Sequence, residues 1–278
     1  MTTQDFNILF VIWRECIEAL LVIGILNAWL AHRPPAERRV GRMWLWSGVG
    51  VGIVGAVALA TLLLTIGDAL SDEAQEYFQT AIVLIAAGLI VQMVFWMRRH
   101  GRTLKSELHA SLDQVADRSN WFGVFVLAAL AVLREGSEAA VFLYGTMASA
   151  AGSNLAAAIA AGLGIVAAFA TYWLLQVGSR VLSWRTFFRV TEVMLLFLAA
   201  SLLMSGVGHL ISLDVLPTLS PRLWDTSWLL PDSGMLGGLI SGLTGYRAQP
   251  VLMELLVYAA YWTFVLWILY RPRALRPA

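Results

Sequence analysis

Two short charged runs inside otherwise apolar stretches constrain this chain more than any other feature. They read R-E-C-I-E at residues 14–18 and R-E-G-S-E at residues 134–138, so both have the form R-E-x-x-E. An ionisable group at bilayer depth costs about 2.5–3.5 kcal/mol on insertion scales. A chain that places this triplet in two apolar segments is expected to bind a charged species with it. Because the carboxylates outnumber the guanidinium groups, we expect a cation.

The composition indicates a membrane protein. Hydrophobic residues make up 59% of the chain and charged residues only 13%, against about 25% charged residues in soluble domains. Twelve tryptophans suit the two membrane interfaces. No basic stripe with interleaved aromatic residues is present, so we expect no nucleic-acid partner. No basic residue precedes the first apolar stretch, which itself carries a charged run, and we therefore predict no cleavable signal peptide.

We predict an all-α polytopic fold with seven transmembrane helices. A span needs about 20 apolar residues, and the chain has seven such stretches: 6–31, 44–66, 77–97, 121–148, 154–177, 190–211 and 251–270.

The charges of the connecting segments predict the orientation. Residues 32–42, 98–120, 178–189 and the tail after residue 270 together hold 15 of the 19 Lys and Arg residues, whereas residues 67–76 hold four acids and no base. Basic segments stay in the cytoplasm. The N-terminus is therefore expected outside and the C-terminus inside, in the cell (inner) membrane.

The sequence also predicts an internal repeat. The two motifs are 120 residues apart, and small residues are frequent in both the second and the fifth span. A looser similarity between residues 84–89 and 197–202 sets Gln79 opposite Glu192. Because each unit has three spans, an odd number, the second unit is expected to be inverted, which is a transporter architecture.

The predicted segments follow from this repeat. We expect them to be a first repeat (1–97), a cytoplasmic loop (98–120), a second repeat (121–211), an extracytoplasmic loop (212–250), and a seventh helix with a cytoplasmic tail (251–278). The extracytoplasmic loop is either an ordered lid or docking surface, or a long connector with re-entrant apolar character near residues 235–243.

The motif spacing places each pair of carboxylates on one helix face. Residues three apart lie about 60° apart around a helix, so Glu15 shares a face with Glu18, and Glu135 with Glu138. Arg14 and Arg134 can each reach the glutamate four residues on. Four converging carboxylates form a site for hard cations such as Fe(III), Mn(II), Mg(II) or Ca(II). The competing interpretation is a pair of buried salt bridges that lock two spans together.

Other polar residues at membrane depth are secondary pathway candidates. They are Gln79, Glu192, His209, Glu254 and Cys16. Cys16, the only cysteine, is either a soft metal ligand or a small packing residue. We interpret the Trp, Met and Phe residues of the spans as lipid-facing or packing residues.

Two other function classes are open to such a chain. A proton-coupled transporter of an organic cation would use the glutamates as proton carriers. A membrane-embedded enzyme is disfavoured, since no H-E-x-x-H motif or activated nucleophile is visible. The sequence contains no nucleotide-binding loop.

Several runs of the chain resemble the oxidase-dependent (high-affinity) iron permease family of fungi and bacteria. They are both R-E-x-x-E motifs, residues 95–97 and 185–191, His209, and residues 223–225 and 245–250. The resemblance implies that an extracytoplasmic oxidase or iron-binding protein delivers iron, which passes as Fe(III) along the motif glutamates with the two arginines in support. It implies iron as substrate and no permanently bound cofactor. A permease for another metal, such as lead or manganese, is the alternative.

Overall fold

The computed structural model describes residues 3–100, 121–148, 154–177, 184–232 and 235–270. All regular secondary structure in these ranges is α-helical. Most of the predicted loop 98–120 and the tail after residue 270 lie outside the described residues. The helices are α1 (Thr3–Ala31), α2 (Pro35–Ala69), α3 (Asp72–His100), α4 (Phe122–Ala148), α5 (Asn154–Val177), α6 (Trp184–Ser212), α7 (Met235–Thr244) and α8 (Leu252–Tyr270).

Local sequence sets the boundaries between the first three helices. Pro34 has φ −52° and ψ 148° and lies just before α2, and Pro35 takes the first helical position, where its missing N–H would have had no partner. Helix α2 ends before Leu70, whose backbone is extended. Helix α3 then begins with Asp72 and Glu73, whose negative charges favour the positive end of the helix dipole.

Within the described ranges, five helices are long and apolar enough to cross a membrane by length and composition: α2, α3, α5, α6 and α8. Helices α1 and α4 have 29 and 27 residues, but each carries an R-E-x-x-E motif at its centre. Each of the seven predicted spans falls, to within one residue, inside one helix. Large apolar side chains on α2 and α5, among them Val54 and Val166, point outward. The chain is a multi-pass helical membrane protein.

The contacts between helices show which neighbours run parallel and which run antiparallel. Gly41 of α2 lies beside Trp121, just before α4, and Gly52 and Gly67 lie beside Val132 and Tyr144 of α4, so α2 and α4 run parallel. Helix α5 likewise runs parallel to α1. The last turns of α1 pack on the first turns of α4 in one apolar cluster, so these two helices are antiparallel. Helices α3 and α6 are also antiparallel, since Arg98 pairs with Glu192 while Leu84 lies beside Gly206.

Glycines allow close approaches at both of the parallel interfaces. A methyl group at Gly52 would lie 2.9 Å from the carbonyl oxygen of Ala129 and 2.7 Å from Cβ of Val132. A methyl group at Gly164 of α5 would lie 2.7 Å from the carbonyl oxygen of Leu9 and 3.2 Å from Cβ of Ile12 on α1. Only hydrogen fits at either position, and the backbones therefore come into direct contact.

Helix α7 and its flanking segments form an ordered connection between α6 and α8. Three carbonyls at the C-terminal end of α7 accept hydrogen bonds from other helices: Gly242 from Asn7 (3.1 Å), Ser241 from Ser201 (3.1 Å) and Thr244 from Tyr258 (3.0 Å). Gly245 follows with φ +78°, a left-handed conformation that favours glycine. It lies against Ala200 of α6, 12 residues or about 18 Å from the end of that helix. Helix α7 thus penetrates deeply between α1, α6 and α8.

The segment before α7 is held to the segment after it. Thr226 donates its backbone N–H to Ala248 (2.9 Å), and Gln249 donates to Asp225 (2.8 Å). Hydrogen bonds from Ser227 and from Gln249 hold the pKa of Asp225 below its ordinary value. These hydrogen bonds therefore join the two segments that flank α7.

Candidate metal site

Three motif glutamates meet where α1 and α4 cross. Carboxylate oxygens of Glu15, Glu18 and Glu135 all lie within 4.8 Å of one another. The spacing of three residues puts Glu15 and Glu18 on one face of α1, and Glu135 faces them from the antiparallel α4. Their side chains are 6%, 12% and 10% exposed. The interior of the helix bundle therefore holds three carboxylates in a space that one ion can fill.

Arg14 is the counter-ion of this cluster. Its guanidinium lies 2.7 Å from the carboxylate of Glu15 and 2.5 Å from that of Glu18. It also donates to the sulfur of Met93 on α3 at 3.0 Å, and only 1% of the side chain is exposed. The pairing with Glu18 is the one predicted from the spacing of four residues.

Arg134 has a different environment although its motif is the same. Its Nε donates to Glu138 at 3.2 Å, and Glu135 is 4.0 Å away. The guanidinium lies over the indole of Trp96, 4.5 Å from the ring centroid, and 38% of the side chain is exposed. Arg134 is thus at the edge of the cluster rather than within it.

Glu138 also departs from the expectation of four converging carboxylates. Among the described residues, the compact cluster comprises Glu15, Glu18 and Glu135, while Glu138 pairs with Arg134. With Arg14 included, the three clustered carboxylates have a formal net charge of −2 when all of them are ionised. One oxygen of Glu15 and one of Glu135 are buried without a hydrogen-bond partner. A buried unpaired carboxylate oxygen is costly, and a cation bound between the carboxylates would supply the missing partner.

Cys16 is not a member of this cluster among the described residues. It is half-buried and, like Trp13, packs against the apolar cluster formed by Ile17 and by Ala168 of α5. Its counterpart Gly136 lies in an equivalent place, since a methyl group there would come within 2.5 Å of the side chain of Ala56 on α2. These contacts match the packing role rather than the ligand role.

The structure separates the other secondary candidates from the cluster. Glu192 of α6 forms an ion pair with Arg98 at the end of α3. Glu254 accepts a hydrogen bond from the backbone of Val251 (3.1 Å) and lies 3.9 Å from Nε of Arg247. Its carboxylate is beside Gly208, the neighbour of His209. Gln79 is half-buried in the second turn of α3.

Met93 and Trp96 are site residues that the sequence did not reveal. From the sequence alone, the Met and Trp residues of the spans are interpreted as packing or lipid-facing. For these two the interpretation is incomplete, since Met93 contacts Arg14 and Trp96 contacts Arg134. Two signals were available: Trp96 lies in the run 95–97 that resembles the iron permease family, and the spacing of three residues puts Met93 and Trp96 on one face of α3. That spacing does not say which helix the face contacts.

A multi-pass helical protein with ionisable groups gathered in its interior has the architecture of an ion transporter. The chain belongs to the iron permease FTR1 family, whose model matches residues 5–275. This confirms the family resemblance seen in the sequence. Members of the family are permeases, not enzymes.

Individual relatives agree with the family match. The chain is 29% identical to the ferrous iron permease EfeU of Escherichia coli O6:H1 over 258 residues, which cover 90% of each chain. It is 28% identical to the ferrous iron permease EfeU of Yersinia pestis over 264 residues, which cover 90% of this chain and 88% of the relative. No solved structure matches the chain.

Proposed function

We propose that the protein imports iron across the cell membrane, with Glu15, Glu18, Glu135 and Glu138 as successive or shared ligands of the ion. The observation that carries this proposal is the group of three carboxylates within 4.8 Å at the crossing of α1 and α4. Oxygen donors favour hard cations, and iron is the substrate in the names of the relatives.

Arg14 gives the site a resting state without cargo. Its guanidinium neutralises part of the charge of Glu15 and Glu18, which offsets the cost of burying them. An arriving metal ion replaces the guanidinium, and Arg14 then moves from the carboxylates. The metal ion thus binds by displacing the guanidinium of Arg14, and the charges of Glu15 and Glu18 are partly neutralised both before and after it binds.

We propose Fe(III) as the form that passes, supplied by an extracytoplasmic oxidase or iron-binding protein. Three carboxylates match the charge of a trivalent ion, and Fe(III) is the harder of the two iron ions. The relatives are named ferrous iron permeases. A supply of ferrous iron and passage as Fe(III) are compatible when an oxidase converts Fe(II) to Fe(III) before the ion enters the permease.

The proposed architecture has seven spans, with α1–α3 and α4–α6 as inverted repeats and α8 as the seventh. Packing contacts support it. Gly52 contacts Ala129 and Val132, and Gly164 contacts Leu9 and Ile12; the contacted residues differ by 120 in both cases, which is also the offset between the motifs. The α2–α4 and α1–α5 interfaces thus correspond residue by residue, as an exchange of the two repeats requires.

The proposed orientation has the N-terminus outside and the C-terminus in the cytoplasm of a cell with this chain in its inner membrane. It rests on the excess of Lys and Arg in the four basic segments. In this orientation α7 enters the bundle from the outside, in the extracytoplasmic loop 212–250.

Uptake of radioactive iron tests the proposed function. Cells that lack other iron importers are supplied with ⁵⁵Fe as Fe(III) citrate or, with ascorbate, as Fe(II), with and without the chain. We expect uptake above background only with the chain, and loss of uptake with Glu135→Gln at equal membrane abundance. Manganese or lead uptake without iron uptake would assign another metal, and uptake of none of them would leave the organic-cation class.

A further inference from the structure

Helix α3 contacts both motif arginines, and it uses a different side chain for each. Met93 accepts a hydrogen bond from Arg14 at 3.0 Å, and Trp96 lies under the guanidinium of Arg134 at 4.5 Å. The offset of 113 residues between α3 and α6 puts Gly206 and His209 at the corresponding positions of α6. Neither offers a thioether or an indole, so this arrangement is not repeated in the second half. The two arginines are therefore held in different ways.

We propose that Trp96 is a positioning residue that holds Arg134 outside the carboxylate cluster and so keeps Glu135 available to the transported cation. This inference rests on the proposed function. The face of an indole attracts a guanidinium more strongly than any other aromatic side chain does. The attraction draws Arg134 to the side of α3, where it is 38% exposed, while Arg14 is buried among the carboxylates.

Arg134 is close enough to enter the cluster if nothing retains it. Its Nε is 3.2 Å from Glu138 and 4.0 Å from Glu135, so a change of side-chain rotamer brings it among the carboxylates. The cluster would then hold two guanidiniums against three carboxylates, and its formal net charge would change from −2 to −1. A metal ion would have to displace two cations instead of one. Trp96 thus sets how tightly the site binds its cargo.

A double-mutant cycle tests the inference. Trp96→Leu is compared with the wild type, and the same change is made in an Arg134→Gln background. We expect Trp96→Leu to raise the iron concentration for half-maximal uptake roughly three- to tenfold, the range for a partly desolvated cation–π contact. Trp96→Phe keeps an aromatic face and should lie between. In the Arg134→Gln background, Trp96→Leu should change nothing further.

One control variant and one binding measurement accompany this experiment. Trp173→Leu removes an indole from the outward face of α5, where 63% of the residue is exposed, and should leave half-maximal uptake unchanged. If Arg134→Gln transports too slowly for uptake to be measured, the affinity for iron of the purified, detergent-solubilised variants is compared instead.

The outcomes separate the inference from the proposed function. An unchanged half-maximal concentration in Trp96→Leu, with normal wild-type uptake, overturns the inference alone. An equal loss in the Arg134→Gln background also overturns it, because Trp96 would then act on packing rather than on Arg134. A wild-type chain that neither transports nor binds iron overturns the proposed function and the inference with it.

Discussion

The guanidinium of Arg14 lies 2.5 Å from the carboxylate of Glu18, one turn further along the same helix. The equivalent pair in the second motif, Arg134 and Glu138, is 3.2 Å apart and more exposed. Two copies of one short motif therefore have different electrostatic environments. The first binds its arginine inside the cluster and the second binds it at the edge. Substitutions in the two motifs are expected to differ accordingly.

Glu135→Gln should reduce iron uptake by at least about tenfold, since the neutral amide loses the charge that strengthens a ligand bond. Among the described residues Glu135 is the member of the compact cluster that α4 contributes, so only the two glutamates of α1 would remain charged within it. The measurement is ⁵⁵Fe uptake normalised to membrane abundance. Glu73→Gln, on the exposed start of α3, is the matched control. Near-normal uptake in Glu135→Gln would favour the interpretation of the motifs as salt bridges between two spans.

Gly52→Ala should destabilise the protein by about 1–3 kcal/mol, the usual cost of overpacking. The added methyl group meets the carbonyl of Ala129 and the side chain of Val132, and the α2–α4 interface must open to admit it. Gly50→Ala is the control, because nothing lies within 4 Å of a methyl group there and alanine is the better helix former. Thermal unfolding in detergent compares the two. Equal transition temperatures would show that the close contact is not needed.

Cys16→Ala should leave the uptake of iron and of lead unchanged, because Cys16 packs against the apolar cluster of Ile17 and Ala168 and is not a member of the carboxylate cluster. Both metals are measured in the wild type and in the variant. A soft ligand selects soft metals. A fall in lead uptake much larger than the fall in iron uptake would therefore place the thiol in the coordination sphere after all.

Reporter fusions should read inside after residue 38, outside after residue 73, inside after residue 102 and outside after residue 232. The reason is the distribution of Lys and Arg among the connecting segments. Paired reporters, one active on each side of the membrane, make every position its own control. An outside reading at residue 102 would contradict both the orientation and the inversion of the repeat.

The sequence predicted the helices well because long apolar stretches and fixed spacings are local properties. The seven predicted spans and the Arg14–Glu18 pairing depend only on residues close in the chain. The position of α3 beside the arginines could not be read in this way, since it depends on packing between distant segments. For the same reason the sequence implied four equivalent glutamates, whereas Trp96 and the pairing of Arg134 with Glu138 set one of them apart.

Helix α7 ties together two helices that belong to different halves of the chain. Its carbonyls accept one hydrogen bond from Asn7 on α1 and another from Ser201 on α6, in adjacent residues. Rotation of the first half against the second would stretch one of these bonds unless α7 moved as well. The end of the bundle that α7 enters therefore has a mechanical link between the two halves, and replacing the amide of Asn7 or the hydroxyl of Ser201 would weaken it without altering any carboxylate.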